Sequence, residues 1–467
     1  MIPVLRPRWR LEGQHLVYYG LRQPPNLFRR RIWLDRRTAG LVASLDGVRP
    51  LDRYTRTPGL QRLLKEGIVV DAALCRPAPG SLDDARYCTR CAANDYAIPG
   101  LEFDEAGLCP MCRTEDRYGK LKNVMPVLRD IPRTPGSKYD VAVFYTGGKD
   151  SSYLLYYLAR VQGLRVLSLT WETPFMSDWA RQSIENARQA LPDVDLLVEA
   201  APEEELKRIY RKTYELQKNV CICPSVAYVL FFQRLSQWGV PYLVLGNEPA
   251  QCRNLIYNRM APSLYFKPWV QSLARLGLNA GRVLTLRRPF AAGQMELYMT
   301  VRQLAFGRSP VTRLLKYRNE LVENTCASLA QAPDFLAPFQ SAVRAAGRSA
   351  RLPRLVHIDF DAASDTGVYD WAGVKDLLKR EIGWVDAPES GKGLHTSCQI
   401  ERCKEWSQFS RFRDMETQVI PFSAIELSLA SAAGSVGREQ AIEELKKHSG
   451  FTEEPPKETD IMTAALR

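Results

Sequence analysis

The chain has 467 residues, 45% of them apolar and 25% charged, with a formal charge of +12. That length holds two to four domains, and the composition is that of a soluble globular protein. A membrane-spanning helix is excluded, because the most apolar run, "VLFFQRLSQWGVPYLVLG" at 229–246, is broken by Gln233, Arg234 and Gln237. The N-terminus, "MIPVLRPRWRLEGQH", has no apolar signal core, so the expected location is cytoplasmic. The basic charge suits nucleotides, acidic sugars, anionic membrane surfaces and nucleic acid alike.

Residues 1–80 form the first expected domain. "HLVYYG" and "RRIWLD" alternate as strands do, "TAGLVASLDG" and "TPGLQRLLKEG" carry apolar residues at helical spacing, and "IVVDA" returns to strand. This pattern, with "LDG", resembles the small winged-helix-like modules of the PqqD type, which implies a peptide partner; a plain docking domain is the alternative. "CRPAPGSLDDA" is a linker by its Pro, Gly, Ser and Asp content.

Residues 81–125 hold two Cys-x-x-Cys pairs, Cys88 with Cys91 and Cys109 with Cys112, with seventeen residues between the pairs. Each tight turn aims two thiolates at one ion, and two turns complete a tetrahedron of sulfur. The expectation is a structural zinc ribbon, closed to substrate, with a short hairpin between the pairs.

From residue 135 to 420 strands and helices alternate. "YDVAVFYTG", "LRVLSLTWE", "VDLLVEA" and "VPYLVLGNEP" read as buried strands, and "SSYLLYYLARVQG", "SDWARQSIENARQAL", "PEEELKRIYRKTYELQ" and "CICPSVAYVLFFQRLSQWG" as the helices between them. Ser177 or Asp178 is the expected N-cap of the second helix. The fold class is α/β, a parallel sheet with helices on both faces. Residues 261–350 interrupt it as a basic helical insertion, "LVHIDF" is a returning strand, and 421–467 is a helical tail.

Chemistry concentrates in "YTGGKDSS". Gly147 and Gly148 let the backbone approach an anion, and the following helix offers free N–H groups and the positive end of its dipole. Thr146, Ser151 and Ser152 add hydroxyls, Lys149 a point charge, and Asp150 a carboxylate for Mg2+. The spacing is not that of a Walker A loop. A purely structural Gly-Gly turn is the alternative.

"TGGKDS" resembles the loop of the PP-loop ATP pyrophosphatases. The resemblance implies ATP bound by Thr146, Gly147, Gly148, Lys149, Asp150, Ser151 and Ser152, with Lys149, Asp150 and Ser151 catalytic. A substrate oxygen attacks the α-phosphate to give an adenylate, and a nitrogen or sulfur nucleophile then displaces AMP. "FDEAGLCPMC", "NVCICPSVAYVLFFQRLSQWGVPYLVLGNEPAQ" and "EIGWVDAPESGKGLHTSCQIERCKEW" are similar to segments of the N-acetyl sugar amidotransferases of surface-polysaccharide (lipopolysaccharide) biosynthesis. That narrower likeness implies a nucleotide sugar as substrate and a separate glutaminase subunit supplying ammonia.

Cys221 and Cys223 precede a helix, and Cys398 and Cys403 form a second loose group. Such thiols are buried apolar residues, ligands of an iron–sulfur cluster, or reactive nucleophiles. The last two options fit a sulfurtransferase acting on tRNA or a small molecule. A peptide-binding scaffold with a nucleotide site is a third function. Cys75, Cys252 and Cys326 read as structural. His395 reads as a surface or core histidine, with proton transfer the alternative.

Overall fold

The computed structural model describes residues 1–54, 57–118, 122–389 and 393–466, leaving aside the side chains of 115–118. Part of the quoted stretch 381–406, residues 390–392, therefore lies outside the described residues. Two units are distinguished, Met1–Gly119 with Gln408–Ser428, and Lys120–Ser407 with Leu429–Arg467.

In the first unit the strands are β1 (Pro3–Leu5), β2 (Trp9–Glu12), β3 (His15–Tyr18), β4 (Arg31–Trp33) and β5 (Val69–Asp71). β1 pairs antiparallel with β5, and β2, β3 and β4 form an antiparallel sheet. The expected helices are Arg36–Ala43, capped by Asp35, and Pro58–Lys65, capped by Thr57 with Pro58 at its first position. Their apolar faces meet Trp9, Leu16 and Ile32 in one core. The Arg8 guanidinium donates to the carbonyls of Phe412 and Arg413, and Arg30 to that of Gln418, so residues 408–428 close this unit.

Between the cysteine pairs the expected hairpin is replaced by turns at 92–108, and Cys112 lies on a helix, Pro110–Tyr118. Asn94 accepts from the Tyr96 and Ala97 N–H groups, and Asp104 from that of Leu108 at 2.8 Å. These side chains satisfy the backbone locally, and among the described residues the pairing is confined to one antiparallel bridge, Tyr87 with Asn94, across the first cysteine turn. Gln23 donates to the carbonyls of Glu102 and Leu108, which fastens the segment to the N-terminal module.

The second unit is built on six parallel strands: β6 (Val127–Leu128), β7 (Val141–Phe144), β8 (Val166–Trp171), β9 (Asp195–Glu199), β10 (Tyr242–Val244) and β11 (Arg354–Ile358). Their order is β6-β11-β10-β7-β8-β9. Successive side chains of β7 alternate between two cores. Val141 and Val143 pack with the helices Lys149–Tyr156, Asp178–Ala190 and Trp371–Ile382, and Ala142 and Phe144 with Glu203–Gln217 and Cys223–Gln237. Both sheet faces are thus covered, which is why the central strands read as unbroken apolar runs. Ser177 is the N-cap of Asp178–Ala190, and it accepts from the Ala180 N–H. The insertion between β10 and β11 is helical throughout its longer elements, from Pro268–Leu284 to Pro333–Ser349.

The strand order reverses beside β7. From it the chain builds β8 and β9 to one side, then returns to lay β10 and β11 on the other. A crevice at the carboxyl ends of β7 and β10 is the topological switch point where open α/β sheets bind ligands.

Candidate active site

The loop after β7 lies in that crevice. Gly147 has φ +73°, and a Cβ there would stand 2.5 Å from the Ala180 carbonyl oxygen, so only glycine fits. Its own carbonyl accepts from the Trp384 indole at 3.0 Å. Gly148 caps the helix Lys149–Tyr156 with no side chain of its own. Ser151 Oγ donates to the Gly148 carbonyl at 3.1 Å and also meets Thr146 Oγ1 at 3.1 Å, which closes the loop around the helix start. The turn after β10 presses on the same place: a Cβ on Gly246 would come within 2.7 Å of Ser151 Cβ.

Side chains from three parts of the chain converge here, at 149–150, 248 and 369–371. Lys149 Nζ donates to Asp150 Oδ1 and lies 3.9 Å from Glu248 Oε2. It sits 4.6 Å from the centre of both the Tyr369 and the Trp371 ring, a double cation–π seat. Tyr369 OH donates to Asp150 Oδ1 at 2.8 Å, and the Trp371 indole donates to Glu248 Oε2 at 2.7 Å. Burial, then the charges of Asp150 and Glu248, hold the Tyr369 phenol well above its usual range, so it remains a donor. Asp150 and Glu248 are thus a fixed pair of carboxylates around one cationic head.

A chain of side chains leads away from Asp150. Gln251 Nε2 lies 3.3 Å from Asp150 Oδ2 and 3.1 Å from His395 Nε2. His395 Nδ1 lies 2.9 Å from Glu401 Oε1, which also accepts from Lys404 at 2.6 Å. Burial works to raise the Glu401 carboxyl, but Lys404 and His395 prevail and hold it low. His395 is thus partly exposed, with a hydrogen-bond partner at each ring nitrogen.

The thiols sort differently from their spacing. Burial raises the Tyr210 phenol, and Cys223, Cys221 and Cys398 add to the effect, so these three thiols share one neighbourhood. Cys221 is lowered by a hydrogen bond from Cys223, against the effect of burial, and it also feels Lys404. Burial pushes Cys398 up. Cys403 leaves the group, with its sulfur 3.8 Å from Thr459 Oγ1. Ser397, beside Cys398, would stand 3.5 Å from a Cβ on Gly148, so the thiol neighbourhood adjoins the glycine loop.

Cys88, Cys91, Cys109 and Cys112 gather as expected. All four are buried, and their sulfurs lie within 4.8 Å of one another. Cys88 is 3.9 Å from Cys112, and Cys91 3.7 Å from Cys109. Four sulfurs at ~2.3 Å from one ion would be about 3.8 Å apart, so the donor set fits a tetrahedral metal. Hydrogen bonds from Cys109, Cys112 and Cys91 lower the Cys88 thiol, while Cys91 and Cys109 are raised. Among the described residues this is the group of ligating side chains gathered tightly enough to hold an ion.

Compared with known proteins, the chain matches no family model and no curated protein. Among solved structures it is similar to the U34-tRNA thiolase NcsA from Methanococcus maripaludis with its [4Fe-4S] cluster, at 13% identity and a TM-score of 0.22. The match covers 63% of this chain and 89% of that one. No described helix is long and apolar enough to cross a membrane.

Proposed function

We propose that this protein is an ATP pyrophosphatase of the PP-loop type that adenylates a carbonyl oxygen of its substrate. One observation carries the reading: a glycine loop, a helix N-terminus and the Asp150–Glu248 pair meet at the switch point of a parallel sheet. The loop N–H groups, Thr146 and Ser151 bind the pyrophosphate portion of ATP. Asp150 and Glu248 would hold Mg2+, which supplies neutralisation of phosphate charge when bound. Lys149, seated between two rings, is positioned to follow the developing negative charge. The substrate oxygen attacks the α-phosphorus, the bond to the bridging oxygen breaks, and pyrophosphate leaves. A nucleophile then adds to the activated carbon and AMP departs.

For that nucleophile, the gathering of Cys221, Cys223 and Cys398 beside the loop supports sulfur. The thiols would carry it as a persulfide at Cys221, the one whose thiolate is favoured by its neighbour, loaded from a sulfane-sulfur donor. The outer sulfur displaces AMP, the Cys223 thiol then attacks Cys221 Sγ to free the thiocarbonyl product, and an added thiol reduces the Cys221–Cys223 disulfide that forms. Ammonia delivered to an N-acetyl sugar is the second reading, supported by the resemblance around "GNEP". The Cys88–Cys112 group would hold Zn2+ in a closed structural site.

The test is pyrophosphate and AMP release with nucleotide sugars or bulk tRNA, each with ammonium or with thiosulfate as sulfane-sulfur donor and a thiol reductant. Asp150→Asn should lower pyrophosphate release by on the order of a hundredfold or more with the fold intact. Release at the parent rate would remove the loop from the chemistry. Cys221→Ser should abolish a sulfur-containing product; amidine product from that variant, with ammonium, would establish ammonia instead.

A further inference from the structure

The helix Pro268–Leu284 is amphipathic in the wrong sense for a soluble protein. Its polar residues hold it to its own unit. Gln271 donates to the carbonyls of Asn123 and Tyr265, Asn279 exchanges two 2.9 Å hydrogen bonds with the Phe290 backbone, and Arg282 donates to those of Arg288 and Gly347. The Arg282 guanidinium also lies 3.7 Å from the centre of the Phe290 ring.

The apolar residues face outward. Trp269, Leu273, Leu276 and Val283 recur at helical spacing along one side and are exposed, Leu276 by 68%. Leu284 and Leu286, just beyond, are exposed by 85% and 97%. A stripe of this kind is costly in water and marks an interaction surface.

The charge around it selects the partner. No acidic residue stands between Glu248 and Glu296, whereas seven basic ones do. Lys267 precedes the helix and Arg287 and Arg288 follow it, all exposed. Aliphatic side chains and an indole along the outward side, with cations at both ends, suit the boundary between headgroups and acyl chains. An RNA-binding face would instead turn its cations outward along the stripe. At seventeen residues, or roughly 25 Å, the helix lies in a membrane surface without crossing it.

We propose that Pro268–Leu284 docks this protein on an anionic lipid surface, with Trp269, Leu273 and Leu276 entering the acyl boundary and Lys267, Arg287 and Arg288 meeting the headgroups. The test is co-sedimentation of the full chain with vesicles of phosphatidylcholine containing about a quarter phosphatidylglycerol, against phosphatidylcholine alone. Binding is expected with the anionic vesicles and should weaken roughly fivefold for each of Arg287→Ala and Arg288→Ala. Leu273→Glu with Leu276→Glu should abolish it, with unchanged far-ultraviolet circular dichroism because both positions are exposed. In the parent protein, a quencher carried on the acyl chains should dim tryptophan emission, and Trp269→Phe should remove that dimming. Failure to bind anionic vesicles, or equal binding to neutral ones, overturns the proposal. So does a dimer in solution that the two Glu substitutions dissociate without any vesicle binding, or tRNA retention by the same residues with no vesicle binding.

Discussion

His357 lies in β11, fully enclosed, and neither of its ring nitrogens has a hydrogen-bond partner among the described residues. Burial pushes its pKa down to about 4 from 6.5, so the folded protein holds it neutral. The unfolded chain takes up a proton as pH falls below 6.5, and the folded chain does so only near 4. Stability from this group is therefore complete above pH 6.5 and is lost progressively down to about pH 4, by on the order of 3 kcal/mol in all. Denaturant unfolding at pH 7 and pH 5 should show part of that loss, about 2 kcal/mol, and His357→Leu should reduce the difference between the two. An unchanged difference in the variant would assign the acid sensitivity to other groups. Nothing in "LVHIDF" announces this residue, because a lone histidine in a strand has the same local sequence whether paired or not. The same limit applies to the site. Lys149, Asp150 and Ser151 stand together in one loop and are legible, whereas Tyr369, Trp371, Trp384, Gln251 and His395 reach it from distant segments with no shared pattern.

Between elements, the fit of two loops decides the geometry. The turn after β10 touches the start of Lys149–Tyr156 at Gly246, where a Cβ would lie 2.7 Å from Ser151 Cβ and 2.9 Å from its Cα. The backbone cannot yield cheaply on either side, so Gly246→Ala should cost about 1–3 kcal/mol and displace Ser151. ATP turnover should fall by on the order of tenfold or more, because misplacement on the ångström scale is felt at a reacting centre. Parent-like turnover in a folded variant would mean that the two loops move independently. Strands with strong apolar runs and helices with periodic faces were legible, and so was the "GNEP" turn. β6 was not, since two residues carry no period, and neither was the outward polarity of Pro268–Leu284. A helix has the same apolar spacing whichever side faces its own protein, and only the contacts of Gln271, Asn279 and Arg282 tell the two cases apart.

At the scale of the whole molecule, the four-cysteine group ties together a segment of turns and one short helix, Pro110–Tyr118. Binding energy at such a site is folding energy. Cys109→Ser, or a strong chelator, should release one equivalent of zinc, measured by elemental analysis, and lower the thermal midpoint of the unit that contains it. A folded, metal-free protein with an unchanged midpoint would make the group a set of plain buried thiols. Another consequence follows from the residues that close the first unit. Arg8 and Arg30 hold carbonyls at 412, 413 and 418, which leave the ribosome some three hundred residues after the cysteine segment. At translation speeds of roughly 5–20 residues per second, the N-terminal module waits about a quarter of a minute to a minute for the strand of chain that completes it. What is made first is finished late, so during synthesis its Trp9, Leu16 and Ile32 core must stand on its own contacts or be sheltered by a chaperone, and a nascent chain stalled before residue 408 should be cut by protease at that module while the full-length chain is spared.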